Sequence, residues 1–295
     1  MPPLDSLPIV DTHQHLWDLA RFRLPWLAGE PALARSYRMA DYLQAVAGLQ
    51  VEQSVYMEVD VEPSQQTAEA QYVVGLCARP DNPMTAAVIS GRPADPGFGA
   101  YLQQFRDSPY IKGLRQVLQG ADTPPGYCLD PKFVRGIQLL GERNLSFDLC
   151  LRSGELHDAD KLVAQCPSTR FIVDHCGNIN VQEQDPQAIE LWKSGMRHLA
   201  EHESVVCKIS GIVASAAEHW KPHDLAEIVN FTIDTFGPDR VMFASDWPVC
   251  TLRASFTQWV AALREIVQDR DEATQRKLFH DNAVAFYKLP KSKQQ

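Results

Sequence analysis

Residues 9–18 read IVDTHQHLWD, and His13 and His15 stand one residue apart at the end of a short apolar run. On an extended strand, side chains at that spacing share a face, so Asp11, His13 and His15 are expected on one side of the strand and Thr12 and Gln14 on the other. Two imidazoles on one face can reach one ion or one water. A polar strand end with satisfied ring nitrogens explains the pair equally well. Two other apolar runs end in the same manner: FIVDHCGN closes on Asp174 and His175, and VMFASDWPV on Ser245 and Asp246. Together His13, His15, His175 and Asp246 offer three imidazoles and a carboxylate, a donor set suited to one divalent ion, with zinc the expected one.

For such residues to meet, the strand ends that carry them must converge. Short runs rich in β-branched residues occur at 8–16, 53–60, 84–90, 111–118, 146–151, 170–175, 205–211 and 241–247. They alternate with segments of helical length, the pattern of parallel βα units. Ser64 is placed to cap one helix, and Asp130 another that has Pro131 at its first position. Eight strands, each followed by a helix, predict an α/β fold of the closed (β/α)8 TIM-barrel type, which takes roughly 250 residues and gathers active sites at the C-terminal ends of its strands. The chain of 295 residues is therefore expected to be one domain, 1–295, with a core over about 8–287 and a C-terminal helix over about 271–287. A doubly wound open sheet would carry a Gly-rich phosphate loop after the first strand, whereas here that strand ends in histidines. Neither nucleotide-loop pattern occurs, nor does a G-x-S-x-G nucleophile turn.

Charged residues inside strands are informative because unpaired charges are rarely buried. Glu58, Lys112, Arg115, Asp148, Arg152 and Lys208 are of this kind. Lys112 and Arg115 fall on opposite faces, and Arg115, nearer the C-terminal end, is the better candidate for the barrel interior. Lys208 shares a face with Ser210, and Asp148 with Cys150 and Arg152. These groups can grip hydroxyls or a carboxylate, or pair with surrounding helices in a structural role. Trp17, Trp26 and Trp247 lie just beyond strand ends, where a flat apolar wall suits a sugar ring, though core packing explains each as well. The segment 19–38, rich in Arg and Pro, is expected to form part of the pocket wall. His157, His198, His202, His219, His223 and His280 fall on helices or helix starts and are set aside as solvated or capping residues.

A net charge of −9 argues against a nucleic-acid or anionic-membrane partner and leaves a small-molecule substrate. The first residues lack a basic region followed by an apolar stretch, and no apolar run approaches the ~20 residues of a membrane span. A cytoplasmic protein is expected. The seven cysteines include no C-x-x-C pair and read as buried free thiols. Subunit number is left open, a homo-oligomer being one arrangement.

Taken together, H-x-H-x-W-D, VDHCGN and ASDWPV resemble the amidohydrolase superfamily, and more narrowly its sugar-lactonase branch of fuconolactonase-like and rhamnonolactonase-like enzymes, over about residues 8–287. The resemblance implies a (β/α)8 barrel with His13, His15, His175 and Asp246 where the superfamily binds metal or activates water. Relatives with two metals carry a bridging Lys or Glu on strand four and histidines after strands five and six. Strand five here offers Asp148 and Cys150 but no histidine, so one metal ion is expected. Some related lactonases work without metal, which would make the ion dispensable and leave its ligands as an acid/base set. In the lactonase so implied, Asp246 accepts a proton from water and returns it to the ring oxygen. His175, where it is not a ligand, donates to the oxyanion. Trp17, Trp26, Glu58, Arg115, Asp148, Lys208 and Trp247 orient the substrate. The rival activity on this scaffold is metal-dependent, non-oxidative decarboxylation of an aromatic or unsaturated acid; a barrel that binds a sugar acid without chemistry is the rival of another class.

Overall fold

A computed structural model describes residues 7–290. The first six residues, part of the stretch read as lacking a leader, lie outside the described residues. Eight parallel strands form one sheet in chain order: β1 Ile9–Gln14, β2 Val51–Met57, β3 Met84–Ser90, β4 Ile111–Val117, β5 Ser146–Cys150, β6 Arg170–Val173, β7 Val205–Ile209 and β8 Val241–Phe243. The sheet closes where His15 N donates to the Trp247 carbonyl (2.8 Å) and the Thr12 hydroxyl to the Phe243 carbonyl (2.7 Å). The expected (β/α)8 barrel is thus observed. Each predicted run overlaps a strand, and every strand but β3 ends sooner than its run. Asp174, His175 and Asp246 fall beyond them, His175 and Asp246 in left-handed backbone (φ 53° and 55°).

The helices are α1 Met39–Ala45, α2 Gln66–Cys77, α3 Phe98–Gln103, α4 Pro131–Glu142, α5 Leu156–Gln165, α6 Pro186–Glu201, α7 Pro222–Phe236 and α8 Phe256–Ile266. The C-terminal segment, expected as one helix, forms α9 Glu272–Arg276 and α10 Asn282–Tyr287 joined by a π-helical turn, Lys277–Asp281. Among the described residues, no helix is long and apolar enough to cross a membrane. Asp130 caps α4 as expected, accepting from the Lys132 and Phe133 amides. Ser64 does not cap α2: it sits inside a 3-10 turn, Pro63–Gln65, that leads into the helix. Pro63 at the head of that turn moves the start upstream of the hydroxyl that could have capped it.

Val10, Val55, Met57, Val88, Ile172, Val206 and Met242 fill the barrel, and Tyr287 and Leu289 close its base. A second apolar layer, including Ile89, Leu114, Phe147 and Phe171, packs between strands and helices. All seven cysteines are free and buried. Glu69 on α2 accepts from the Tyr56 hydroxyl and the Val59 amide, both at 2.9 Å. Burial, with Glu58 nearby, pushes its carboxyl up to about 8. A raised carboxyl favours folding while protonated, so its contribution is present below the ordinary value of 4.5 and is lost as pH rises toward 8. Glu69→Gln, which mimics the protonated acid, should flatten the stability profile over that window by about 1 kcal/mol per pH unit. Urea unfolding at pH 5 and pH 8 checks this; parallel profiles for the two proteins would refute it.

Candidate active site

The alternation rule fails in β1 at one informative place. Asp11 pairs with Ser54 but Gln14 with Tyr56, so β1 spends one residue more than β2 between the two pairings. That irregularity separates Asp11 from the histidines. Asp11 faces the helix layer, where it accepts from the Tyr42 hydroxyl (2.9 Å) and from the Ser245 amide and hydroxyl (2.8 and 2.7 Å). It therefore fastens the start of the 245–247 segment to β1, while His13 turns into the barrel.

There His13 is fully buried among charges. Its Nδ1 lies 3.3 Å from Lys208 Nζ and 3.5 Å from Asp174 Oδ1, and its Nε2 lies 3.2 Å from Arg115 Nη1 and 3.7 Å from Asp246 Oδ1. Burial lowers its pKa well below the usual histidine value, and the nearby Lys208 acts in the same direction, so the ring is neutral at pH 7. Beneath it, Lys208 pairs with Asp148 and, at 3.2 Å, with Asp174. Beside it, Arg115 donates to Glu58 Oε1 (2.7 Å) and the Glu58 carbonyl (2.8 Å), and reaches Asp174 Oδ2 at 3.3 Å. Burial opposes ionisation of Asp174, yet Lys208 and His13 hold it well below the carboxylate range. Burial pushes Asp148 up to about 7 against the pull of Lys208.

His15 stands at the mouth. Its Nδ1 lies 3.0 Å from the Met57 carbonyl, which can accept and not donate, so Nδ1 carries the proton. In the neutral ring Nε2 is then an acceptor, and it faces another acceptor, Asp246 Oδ1, at 3.2 Å. Such a pair is favourable with a proton or a cation between the two atoms. His175 completes the group: its Nδ1 meets the Ser210 hydroxyl at 2.9 Å and its ring lies 4.5 Å from that of His13. Burial lowers its pKa, so it too is neutral.

The four residues expected to share one ion fall into two overlapping donor groups. His13, His15 and Asp246 form one, and His13, Asp174 and His175 the other, with donor atoms within 4.8 Å of one another in each. Arg115 and Lys208 pair with Glu58, Asp148 and Asp174, whereas among the described residues the Asp246 carboxylate meets only the His13 and His15 rings, so an ion beside it would supply positive charge that this side lacks. The residues thus fit a metal on the His15–Asp246 side. At His13 Nε2 itself the Arg115 guanidinium, 3.2 Å away, already supplies positive charge.

Above this floor opens a cavity of about 820 Å³, lined by His15, Arg115, His175 and Asp246 below and by Pro25, Trp26, Asp60, Gln119, Asn178, Asn180 and Ser215 around. Of the residues expected to hold substrate, Trp26 and Arg115 line it, Trp26 being fixed by its indole N–H to the Val59 carbonyl (2.9 Å). Trp17 and Trp247 do not: both are buried, Trp17 donating to the Arg35 carbonyl and packing edge-on to Trp26 and Tyr37, and Trp247 packing on Tyr37 and Tyr42. They support the wall from behind. Glu58, Asp148 and Lys208 are fully buried below the floor, where they orient Arg115, Asp174 and His13. Asp60 closes the predicted run 53–60 but was not singled out, and Asn178 and Asn180 had no signal in strand patterning because they lie beyond the sixth strand. Asp174 did have one, since it continues the inward face of Ile172.

His175 depends on a glycine. At Gly211 (φ 70°) an added Cβ would stand 2.4 Å from His175 Cγ and 2.5 Å from Nδ1. Gly211→Ala should displace the ring and reduce turnover by about 10²-fold, since a misplacement of roughly 1 Å at a reacting centre costs that much. Steady-state kinetics beside a melting curve would show it; wild-type turnover in a folded variant would mean that the His175 position is not needed.

The family model described as "Amidohydrolase" matches residues 10–289. The chain is 29% identical to L-fucono-1,5-lactonase of Burkholderia multivorans over 294 residues, 95% of this chain and 96% of that protein. It is 24% identical to L-rhamnono-gamma-lactonase of Scheffersomyces stipitis, covering 97% of this chain and all of that one. Among solved structures, an amidohydrolase of Burkholderia multivorans crystallised with bound zinc superposes with a TM-score of 0.84 at 26% identity, over 96% of this chain and all of that chain.

Proposed function

This chain belongs to the amidohydrolase family, and on that premise we propose that it hydrolyses the ring ester of a small sugar (aldono-) lactone. The observation that carries the reading is the facing pair of acceptors, His15 Nε2 and Asp246 Oδ1 at 3.2 Å, on the floor of a cavity where Arg115 is the adjoining cation. Two of the chain's relatives are lactonases of L-fucono-1,5- and L-rhamnono-gamma-lactone, which supports the substrate class.

Ring opening needs a water stripped of a proton, a cationic or hydrogen-bonding site for the carbonyl oxygen, and an acid for the departing ring oxygen. Asp246 Oδ1 takes the water proton as the water oxygen bonds to the carbonyl carbon. Arg115 Nη1 and the neutral His175 ring face the developing oxyanion. Asp246 then returns the proton to the ring oxygen as the C–O bond breaks, leaving a hydroxy acid. A divalent ion held by His13, His15 and Asp246, zinc being the one seen in a relative, would add polarisation of the water or the carbonyl. Trp26 and the Asp60, Asn178 and Asn180 side chains hold the hydroxyl-bearing ring.

Proton release followed with an indicator dye, on fresh fucono-, rhamnono-, galactono- and arabinonolactones, tests the proposal. Turnover of at least one lactone is expected. Slowed turnover after chelation, restored by zinc, would give the ion an essential role, and unchanged turnover would leave the reaction to the side chains. No turnover on any lactone, with CO₂ released from a hydroxybenzoate instead, would replace the lactonase with the decarboxylase.

A further inference from the structure

At the opposite end of the barrel lies a second cavity, of about 460 Å³, between the loop before β4, the loop before β5 and the C-terminal end of α10. Arg106, Lys112, Arg143, Arg170 and Lys288 line it, and no Asp or Glu does; Arg106 pairs with Asp107, which is not part of the lining, at 3.1 Å. None of the other four is ion-paired among the described residues. Arg143 meets the neutral amide of Gln103 at 3.5 Å. Arg170 is held rigidly, donating to the Phe286 carbonyl (2.6 Å) and lying over the Phe286 ring at 4.6 Å. Lys112 is half-buried, and burial together with Lys288 and Arg170 lowers its pKa. The Ser108 hydroxyl, also in the wall, is buried without a hydrogen-bond partner.

In a chain of net charge −9, four unpaired cations gathered on one concave surface beside the Arg106–Asp107 pair repel one another. An anion in the cavity converts that repulsion into attraction and gives the Ser108 hydroxyl a partner. Leu102, Phe105 and Tyr287 supply apolar wall beside the charges, and the volume exceeds that of a bare oxyanion. We propose that this cavity binds a small phosphomonoester, the cations and Ser108 holding the phosphate and the apolar wall holding its organic part. The site is remote from the catalytic mouth and does not depend on the lactonase reading.

Titration calorimetry of the full chain with phenyl phosphate, at constant ionic strength and with inorganic phosphate and phenol in parallel, tests it. Saturable binding is expected for phenyl phosphate, weaker binding for inorganic phosphate and none for phenol. Lys112→Gln and Arg143→Gln should each weaken phenyl phosphate binding at least tenfold while leaving the catalytic activity unchanged. The melting temperature of Lys112→Gln without ligand should equal or exceed that of the wild type, because a repulsion is removed. Absence of saturable binding, or binding that the two variants do not alter, would overturn the site, as would a large fall in melting temperature in Lys112→Gln.

Discussion

Asp246→Asn is expected to lose about 10²–10⁴-fold in lactone turnover, the usual worth of a positioned general acid/base, while remaining folded. The amide keeps the size and hydrogen-bonding reach of the carboxylate, and its Nδ2–H can donate to the His15 Nε2 that faces the native Oδ1 at 3.2 Å. The packing around the position is therefore preserved. What the amide lacks is a lone pair basic enough to take a proton from water. Indicator-dye kinetics beside a melting curve separate the two effects. Turnover at the wild-type rate would remove Asp246 from the proton pathway and, with it, the mechanism proposed here.

The largest loss of stability is expected from Lys208→Met, about 3–5 kcal/mol by urea unfolding at pH 7, because the substitution breaks a fully buried charge cluster and leaves Asp148 without its cation and Asp174 with Arg115 alone. Lys208 is the common partner of Asp148 and Asp174 and lies 3.3 Å from His13. Methionine fills most of the volume, so the loss is electrostatic rather than a cavity effect. The double variant Lys208→Met with Asp148→Asn should recover part of it, since the stranded carboxylate is then replaced by a neutral amide. A Lys208→Met protein within about 1 kcal/mol of the wild type would show that the cluster is neutralised by protonation instead.

The case of Lys208 shows how far a sequence carries. A lysine in the middle of VVCKI is costly to bury without a partner, and strand alternation put it on one face with Ser210 without deciding which face is the inner one. Its partners were not legible. Asp148 and Asp174 lie 60 and 34 residues away in the chain, and barrel closure with its stagger decides which inward residues stand level. The same limit explains Trp17 and Trp247. Their place just beyond strand ends is a sequence fact, but whether an indole faces the cavity or the wall behind it depends on loop packing against Tyr37 and Tyr42. Asp11 was displaced from its expected face by one extra residue in β1, and nothing in IVDTHQ marks that irregularity.

The sequence by itself determined the eight strands, their parallel order and the convergence of His13, His15, His175 and Asp246 on one end of a barrel, because hydrophobic period and element length are local properties and closure sends every strand end to the same rim. The tertiary structure alone decided the depth of each group. It sank Glu58, Asp148 and Lys208 below the floor, left Trp26 and Arg115 in the cavity wall, divided the expected four-ligand set into two donor groups sharing His13, and gathered five cations at the far end. Depth depends on stagger, loop path and the packing of residues far apart in the chain, and these are fixed when the sheet closes.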